Sequence, residues 1–173
     1  MNPTHSPTTL HGLPPLVTGQ TRMLVLGSFP SVTSLARQQY YAHSQNAFWR
    51  ILQAIWPSSP YEISASSYQK RIDWMLGKGL GLWDVYASCE RKGSLDTAIR
   101  APQVNDLADL MRRCPQLRVI AHNGGESFRH ASHTRALGLP VYRLPSTSPA
   151  NASWTFERKL AAWREVVAIA GLV

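Results

Sequence analysis

Four short apolar segments, separated by helix-like segments, constrain the fold more than any other feature of the sequence. They are "RMLVLG" (22–27), "GLWDVYA" (81–87), "LRVIAH" (117–122) and "PVYRL" (140–144). Short runs that are apolar at nearly every position are typical of strands buried on both faces. Because helical patterns lie between them, we predict an α/β fold with a central four-stranded parallel sheet flanked by helices on both faces.

Five helices are expected between these strands and after the last one. Their large apolar residues recur at helical spacing, and Asn105 and Ser153 are the expected N-caps of the third and fifth helices. Gly77 and Gly138 mark the ends of the second and fourth, where a left-handed residue is common. The expected helices cover 46–56, 67–76, 105–114, 126–137 and 153–171.

The chain of 173 residues, 44% of them hydrophobic, is long enough to bury one sizeable core. Residues 1–20 are rich in Pro, Thr, Ser and Gly and show no apolar periodicity, so we expect a flexible N-terminal segment followed by a single domain over 21–173. No apolar run reaches the roughly 20 residues of a membrane span, and no secretory signal is recognisable. A soluble, cytoplasmic protein is expected.

The net charge of +8 comes from 18 basic residues, 14 of them Arg, against 10 acidic ones. Residues 1–61 contain no Asp or Glu at all. Arg is suited to bidentate phosphate contacts, so this balance favours nucleic acid as the partner, although it also fits a merely basic protein. Binding to a membrane surface is not favoured, because no helix is both strongly amphipathic and rich in Lys.

The sequence offers no cofactor motif and no metal-ligand cluster. Cys89 and Cys114 form no CxxC pair and are expected to be reduced and structural. His130 and His133 have no carboxylate or thiol nearby in sequence, so helix-surface positions suit them better than a metal site. Neither GxGxxG after a strand nor GxxxxGK[ST] occurs. We therefore expect neither a metal ion nor an organic cofactor.

Polar and glycine-rich segments follow each of the four expected strands. In a parallel sheet the carboxyl ends of the strands meet at one edge, and ligands bind in the crevice beyond that edge. The four segments predict that the chemistry takes place there. They are "GSFPS" (27–31), "DVYASCERKGS" (84–94), "HNGGE" (122–126) and "LPSTSPANAS" (144–153).

Four motifs in order and spacing resemble the uracil-DNA glycosylase superfamily, and specifically its hypoxanthine (deoxyinosine) DNA glycosylase branch. They are "MLVLGSFPS" (23–31), "YYAHSQNAFW" (40–49), "GLWDVYASCERKGSLD" (81–96) and "LPSTSPANA" (144–152). The resemblance implies a monofunctional enzyme that flips a deaminated base out of DNA and hydrolyses its N-glycosidic bond with a positioned water. It also implies that the partner is DNA containing deaminated bases. We expect a monomer in a bacterial-type cytoplasm, associated with the nucleoid through DNA.

Asn46 and Asp84 are the catalytic residues that the resemblance implies. Better-known members carry a water-positioning Asp or Asn before the Pro of the first motif, where this chain has Phe29, so that role passes to Asn46. Local sequence alone favours an N-cap at Asn46 over a catalytic role, and the resemblance reverses that order; we expect that one oxygen does not readily fill both roles. Asp84 is expected to accept from N1–H of hypoxanthine or to activate the water, whereas local sequence also allows it to cap a turn.

Other residues of the same segments are expected to hold the base and the DNA. Tyr41 matches a base-stacking aromatic, Phe29 offers an apolar wall, and Asn123 is either a base contact or a simple turn former before Gly124. Leu144 replaces the catalytic His of some relatives, which puts efficient uracil removal in doubt. The expected base contacts are Ser28, Phe29, Tyr41 and Asn123, and the expected DNA contacts are Arg91, Ser146, Thr147, Ser148 and Pro149.

Two other functions remain open from the residues. A non-catalytic nucleic-acid-binding protein on the same fold has the same charge and loops, and only Asn46 and Asp84 argue against it. A serine hydrolase with Ser28 as nucleophile and His122 or His133 as base is the second alternative, although no GxSxG motif occurs.

Overall fold

Seven strands and seven helices make up the part of the chain that this computed structural model describes, residues 6–58 and 67–173. The strands are β1 (Thr9–His11), β2 (Met23–Gly27), β3 (Leu80–Asp84), β4 (Tyr86–Glu90), β5 (Arg100–Val104), β6 (Val119–Asn123) and β7 (Val141–Leu144). The helices are α1 (Val32–Arg37), α2 (Phe48–Ile55), α3 (Tyr68–Gly77), α4 (Leu107–Arg113), α5 (Gly125–Phe128), α6 (Ala131–Arg135) and α7 (Phe156–Ile169).

The central sheet has four parallel strands in the order β3-β2-β6-β7, which confirms the predicted architecture. Side chains of β2 alternate between its two faces, as the pleat requires. Met23 and Val25 pack with α2, α3 and α7 in one buried cluster, and Leu24 and Leu26 pack with α4 in another. The helices therefore cover both faces of the sheet.

A second, antiparallel sheet in the order β1-β4-β5 was not predicted. The strand expected over 81–87 is two strands, because the chain leaves the parallel sheet at Val85. There the Val85 N–H donates to the Gly27 carbonyl over 2.8 Å, and the Val85 carbonyl accepts from Asn105 N–H, also over 2.8 Å. All five residues of β5 are exposed and one is Pro102, so β5 carries no apolar pattern by which it can be recognised.

The segment before β2 is part of the fold from residue 6 onward, which differs from the flexible segment expected over 1–20. Leu16 pairs with Leu82 of β3 through two 2.9 Å backbone hydrogen bonds. Leu13 is buried, and its carbonyl accepts from the indole of Trp83 over 3.2 Å. The expectation was wrong for these residues because the segment covers a sheet edge with isolated leucines, which leave no periodic signal.

Two details of the helix ends and boundaries differ from the sequence expectation. The helix expected over 126–137 is divided into α5 and α6 at His130, whose φ of −97° and ψ of 15° are not helical. The left-handed residue after α3 is Gly79, with a φ of 88°, and not Gly77, whereas Gly138 has the expected positive φ.

The expected N-caps are each replaced by a neighbour. Asp106 and not Asn105 caps α4, and Thr155 and not Ser153 caps α7; each accepts a backbone N–H of the first turn. Asn105 instead donates its side-chain N–H to the Asp84 carbonyl over 2.8 Å. This bond ties the end of β3 to the start of α4.

Cys89 and Cys114 are buried free thiols, which agrees with a structural role. Within residues 6–58 and 67–173, none of the helices combines the length and apolar character needed to cross a bilayer.

We predict that Leu13→Ala destabilises the protein by about 2–5 kcal/mol, because it leaves a cavity where a buried leucine joins the N-terminal segment to the core. Urea unfolding measures the change. Ile169→Ala, at a side chain that is 50% exposed, is the matched control and should change the free energy of unfolding by less than about 0.5 kcal/mol. Equal stability of Leu13→Ala and the wild type would contradict this packing.

Candidate active site

A cleft of about 760 Å³ lies beyond the carboxyl ends of the four parallel strands, where the sequence predicts the chemistry. Its walls come from the segments after β2, β3, β6 and β7 and from the residues before α2. Arg91 is the one predicted site residue that does not line it. The predicted residues that do so are Ser28, Phe29, Tyr41, Asn46, Asp84, Asn123, Ser146, Thr147, Ser148 and Pro149.

Asp84 is a buried carboxyl group at the end of β3, only 5% exposed. Its Oδ2 atom has no hydrogen-bond partner. Gly27 lies opposite it on β2, and a Cβ atom at Gly27 would collide with Oδ1 of Asp84. The carboxyl group therefore occupies space that only a glycine leaves free, and one of its buried oxygens is not engaged by any group among residues 6–58 and 67–173.

Burial raises the pKa of Asp84 from its ordinary value of 3.8 to about 7. Burial is the largest cause of this pKa shift; the nearby Asp96 carboxylate contributes to it and the Arg91 guanidinium opposes it, and the value of about 7 includes all three effects. The neutral and ionised forms of Asp84 therefore coexist near neutral pH. A group with such a pKa can exchange its role as donor and acceptor within the physiological range.

Asn46 lies just before α2, with its side chain half-buried in the cleft wall. Its Oδ1 accepts from the Phe48 backbone N–H over 3.0 Å, while Ala47 occupies the formal N-cap position without a side-chain bond. An amide oxygen has two lone pairs, so the bond to the helix start leaves one of them for a ligand. The geometry therefore allows the same oxygen to bond to the helix start and to a ligand. The bond to the helix start also fixes the orientation of the amide.

Asn123, at the end of β6, holds two other segments of the site in place. Its Nδ2 donates to the Tyr41 hydroxyl over 3.1 Å and to Thr147 Oγ1 over 3.0 Å. Its Oδ1 accepts from the Thr147 backbone N–H over 3.0 Å. Both donors and the carbonyl oxygen are thus engaged within the protein, which makes Asn123 more than the simple turn former that local sequence allows.

Tyr41 is held rigidly at the base of the cleft. Its ring stacks on Phe48 with 4.2 Å between ring centroids and 28° between planes. Its backbone has a φ of 54°, a left-handed conformation that is uncommon for a large side chain. Burial and the neighbouring Asp84 raise the pKa of the Tyr41 hydroxyl, so that it remains a neutral hydrogen-bonding group.

Residues 144–152, the Ser/Pro loop, use most of their polar groups to hold themselves in shape. Thr147 is only 1% exposed, and its carbonyl accepts from the Ala47 N–H over 3.0 Å. Ser146 Oγ accepts from the Ser148 N–H over 3.2 Å, and the Ser146 carbonyl accepts from the Asn151 amide over 3.1 Å. Ser146 and Ser148 are half-buried and Pro149 is exposed, so these three reach the cleft surface while Thr147 faces inward.

Residues 91–96 form a second loop at the cleft, the rim loop, which lines it through Ser94, Leu95 and Asp96. Arg91 donates through Nε to the Gly93 carbonyl over 2.8 Å and through a terminal nitrogen to the Pro30 carbonyl. Its guanidinium also covers the Phe29 ring, 5.2 Å from the centroid. Two of the three nitrogens of the Arg91 guanidinium are thus bound to backbone carbonyls within the protein, and the phosphate contact expected for Arg91 stays a prediction. Phe29 is itself 7% exposed and contributes little more than its edge to the cleft.

The sequence analysis assigned no role to Asp96, although Asp96 is the last residue of the third motif, residues 81–96. Its Oδ1 accepts from the Ser28 hydroxyl over 2.6 Å. His122, meanwhile, is fully buried between Ser127 and Thr134. Within residues 6–58 and 67–173, no histidine is hydrogen-bonded to Ser28, so the serine hydrolase alternative lacks its base and is wrong.

In the described ranges 6–58 and 67–173, no three His, Cys, Asp or Glu side chains come together as metal ligands. The functional groups that line the cleft include carboxyl, amide and hydroxyl groups, the His43 imidazole and the Arg143 guanidinium. Such groups can orient water, read the edge of a base and contact phosphate.

We predict that the stability of the wild type falls relative to Asp84→Asn as the pH rises from 4 to 7. Over this range the unfolded chain loses a proton that folded Asp84, with its pKa of about 7, retains. The wild type should therefore lose up to roughly 4 kcal/mol that the amide variant keeps. Urea unfolding across this pH range tests it, and parallel stability curves would contradict the shifted pKa.

Comparison with known proteins identifies the family of this chain. Residues 14–167 match the family model of the Uracil DNA glycosylase superfamily. Hypoxanthine DNA glycosylase of Methanosarcina barkeri is 34% identical, over 89% of this chain and 95% of its own. The protein of the same name from Methanosarcina acetivorans is 33% identical, over 90% and 96%. A solution NMR structure of a candidate uracil DNA glycosylase from Methanosarcina acetivorans superposes with a TM-score of 0.83 at 30% identity, covering 95% of this chain and 99% of that one. The chain belongs to the uracil DNA glycosylase superfamily.

Proposed function

We propose that this chain excises hypoxanthine from DNA, by flipping deoxyinosine into the cleft and hydrolysing its N-glycosidic bond to leave an abasic site. Its family makes the chain a DNA glycosylase, and two similar proteins are named hypoxanthine DNA glycosylases. The observation that carries the proposal is the presence in one cleft of the oriented Asn46 amide and the buried, unpartnered Asp84 oxygen.

Asn46 positions the water in this mechanism. Breaking the bond builds positive charge on the sugar, and such a transition state accepts a weak nucleophile. The remaining lone pair of Asn46 Oδ1 accepts a hydrogen bond from the water, while the bond to Phe48 N–H keeps the amide from rotating. An amide is no base at neutral pH, so Asn46 contributes orientation and not deprotonation. The water oxygen bonds to the sugar carbon as the base leaves with the bonding electrons; the proton that the water loses balances the one that the departing base gains, which leaves an abasic sugar and free hypoxanthine.

Asp84 distinguishes hypoxanthine from adenine. Hypoxanthine carries a donor, N1–H, at the position where adenine carries only a lone pair. The free oxygen of ionised Asp84 accepts from N1–H, whereas an adenine in the same place would leave two buried acceptors facing each other. Unpaired buried groups of this kind are costly, which supports discrimination against the normal base.

Uracil is a poor substrate in this proposal. Phe29 and Leu144 stand where better-known relatives of the superfamily have polar groups, and both side chains are buried in apolar clusters. Neither can orient water or donate a hydrogen bond to a uracil oxygen.

The Ser/Pro loop holds the flipped strand, with Ser146 and Ser148 donating to phosphates and Pro149 at its tip. The net charge of +8 supports DNA binding over a broad surface. We further propose that one copy of the chain suffices, since every wall of the cleft comes from the same chain, and that the protein acts on the nucleoid in a bacterial-type cytoplasm.

We predict that Asn46→Ala lowers single-turnover excision of hypoxanthine at least about 100-fold while lesion binding is retained, since the water loses its acceptor. Duplexes carrying one hypoxanthine, uracil, xanthine or ethenoadenine, cleaved by alkali after incubation, report the abasic product. Gln45→Ala, at an exposed neighbouring residue, is the matched control and should keep full activity.

Two results would redirect the proposal. Full activity of Asn46→Ala would leave the Asn46 amide as a helix cap and move the chemistry to Asp84. If the wild type released no abasic product from any of these lesions, the enzymatic proposal would be contradicted and a non-catalytic DNA-binding protein would be favoured.

We predict that hypoxanthine excision rises with pH through about 7 and then levels off, because the ionised form of Asp84 accepts from N1–H and protonation removes that acceptor. Asp84→Asn should be slower and should lack this rise, since an amide does not titrate. Single-turnover rates between pH 5 and pH 9 measure both profiles. Identical pH profiles for the two proteins would show that Asp84 does not make this contact.

A further inference from the structure

A second pocket, of about 280 Å³, lies at the amino ends of β2 and β6, here named the back pocket. The cleft lies beyond the carboxyl ends of the same strands. Because a strand rises about 3.3 Å per residue, the five residues of β2 separate the two places by roughly 15 Å. The back pocket is therefore a separate place on the molecule, at the opposite edge of the parallel sheet.

The same short pattern, Gln-x-Arg, comes directly before β2 and before β6. In each copy a tight turn precedes the strand: the Thr21 N–H donates to the Thr18 carbonyl, and the Leu117 N–H donates to the Cys114 carbonyl, both over 3.1 Å. The middle residue of each copy, Thr21 or Leu117, is buried. The Gln and Arg on either side of it line the back pocket. They are Gln20, Arg22, Gln116 and Arg118.

Arg22 and Arg118 are neighbours on adjacent strands. The Arg118 N–H donates to the Arg22 carbonyl over 2.8 Å, and the next residues, Met23 and Val119, are paired in the register of the sheet. Gly171 lies beside both side chains, since it bonds to Arg22 and a Cβ atom on it would lie 3.4 Å from Arg118 Nη1. Two positive charges therefore converge on one place, although like charges on facing residues of a sheet repel each other.

The side chain of Arg22 is fixed in direction. Its Nη1 donates to the Gly171 carbonyl over 3.2 Å. Gly79, which has a φ of 88°, leaves room on the other side, because a Cβ atom there would lie 3.2 Å from Arg22 Nε. A half-buried guanidinium held in this way loses little ordering entropy when it binds a ligand.

No carboxylate neutralises the two arginines. Among residues 6–58 and 67–173, no Asp or Glu side chain lines the back pocket, and the two ion pairs found there lie on α4 and α5. Carbonyl groups at the end of α7 carry partial negative charge, which offsets part of the repulsion at Arg22. Arg118 has neither an ion pair nor a side-chain hydrogen bond within those residues. The arrangement therefore lacks an anion.

We propose that the back pocket binds a phosphate group, with the Arg22 and Arg118 guanidinium groups as its main contacts and the Gln20 and Gln116 amides as further donors. Guanidinium groups form paired, charge-assisted hydrogen bonds with phosphate oxygens. Pockets for drug-sized ligands have about 300–1,000 Å³, so a pocket of about 280 Å³ favours a small anion or one phosphate of a longer chain. The site goes beyond the proposed function, because it needs neither the cleft nor a flipped base.

Solution NMR of the ¹⁵N-labelled protein tests the site, with inorganic phosphate added at constant ionic strength. We expect saturable shifts of the side-chain N–H signals of Arg22, Arg118, Gln20 and Gln116. Arg118→Gln should weaken phosphate binding at least about tenfold, because one of two charge-assisted contacts is lost. Gln116→Ala, which keeps both charges, should weaken it about threefold.

Arg112→Gln is the matched control for charge. It removes the same positive charge from an exposed position on α4, outside the back pocket, and should bind phosphate as the wild type does. The backbone spectrum of each variant shows directly that the fold is retained.

A short single-stranded oligonucleotide without a lesion distinguishes the two sources of a phosphate group. Shifts of the back-pocket signals with inorganic phosphate alone would identify a free phosphate as the ligand. Shifts with the oligonucleotide that Arg118→Gln removes would identify a backbone phosphate of DNA, so that the protein contacts DNA on two faces.

Two outcomes would overturn the phosphate site. In the first, neither probe shifts the back-pocket signals in a saturable way. In the second, Arg112→Gln weakens binding as much as Arg118→Gln, which would show that binding follows net charge and not this pocket. Since these measurements monitor binding without catalysis, neither outcome bears on the proposed glycosylase activity.

Discussion

The side-chain amide of Asn123 is the interaction on which the arrangement of the site depends. From the end of β6 it bonds to the Tyr41 hydroxyl and to both the hydroxyl and the N–H of Thr147. The Thr147 carbonyl then accepts from the N–H of Ala47, next to Asn46. A planar amide with two donors and an acceptor thus sets the relative positions of three loop segments. Replacing it would leave several buried polar groups unpaired at once, so its effect reaches beyond its own contacts.

The carboxyl group of Asp84 occupies space inside the parallel sheet that a side chain at position 27 would otherwise fill. The carboxyl group sits at the edge of a parallel sheet beside Gly27, where burial disfavours its charge. The site thereby holds a buried carboxyl oxygen that no group among residues 6–58 and 67–173 engages. Arg91 moderates the cost, since its guanidinium lowers the pKa of Asp84 while its donors brace the rim loop. Arg91 therefore affects the site electrostatically and through the rim loop, besides the DNA contact predicted for it.

The central sheet and the position of the cleft could be predicted from the sequence, because strands buried on both faces leave unbroken apolar runs and parallel strands end at one edge. The second sheet could not. β5 is exposed along its whole length, and β1 is three residues long, so neither has a hydrophobic pattern to detect. Pairing of such strands is decided by backbone hydrogen bonds to β4, which composition does not encode.

Within the site, the residue types were predictable and their roles were less so. Asn46 and Asp84 were identified, yet whether the amide caps a helix or faces a ligand depends on the geometry of its two lone pairs. Arg91 was expected to contact DNA, and its bonds to the Gly93 and Pro30 carbonyls were not expected, since a sequence does not reveal which backbone carbonyls lie within reach of a guanidinium.

The order β3-β2-β6-β7 has a consequence for how the protein becomes active. The first two of these strands come from the first half of the chain and the other two from the second half, and the cleft lies at their shared edge. The N–H of Ala47 finds its acceptor at Thr147, far along the chain. Contacts between such distant residues form late, after the cost of closing a long loop has been met. The cleft is therefore assembled only when the last strand has joined, and catalytic turnover reports a completed fold.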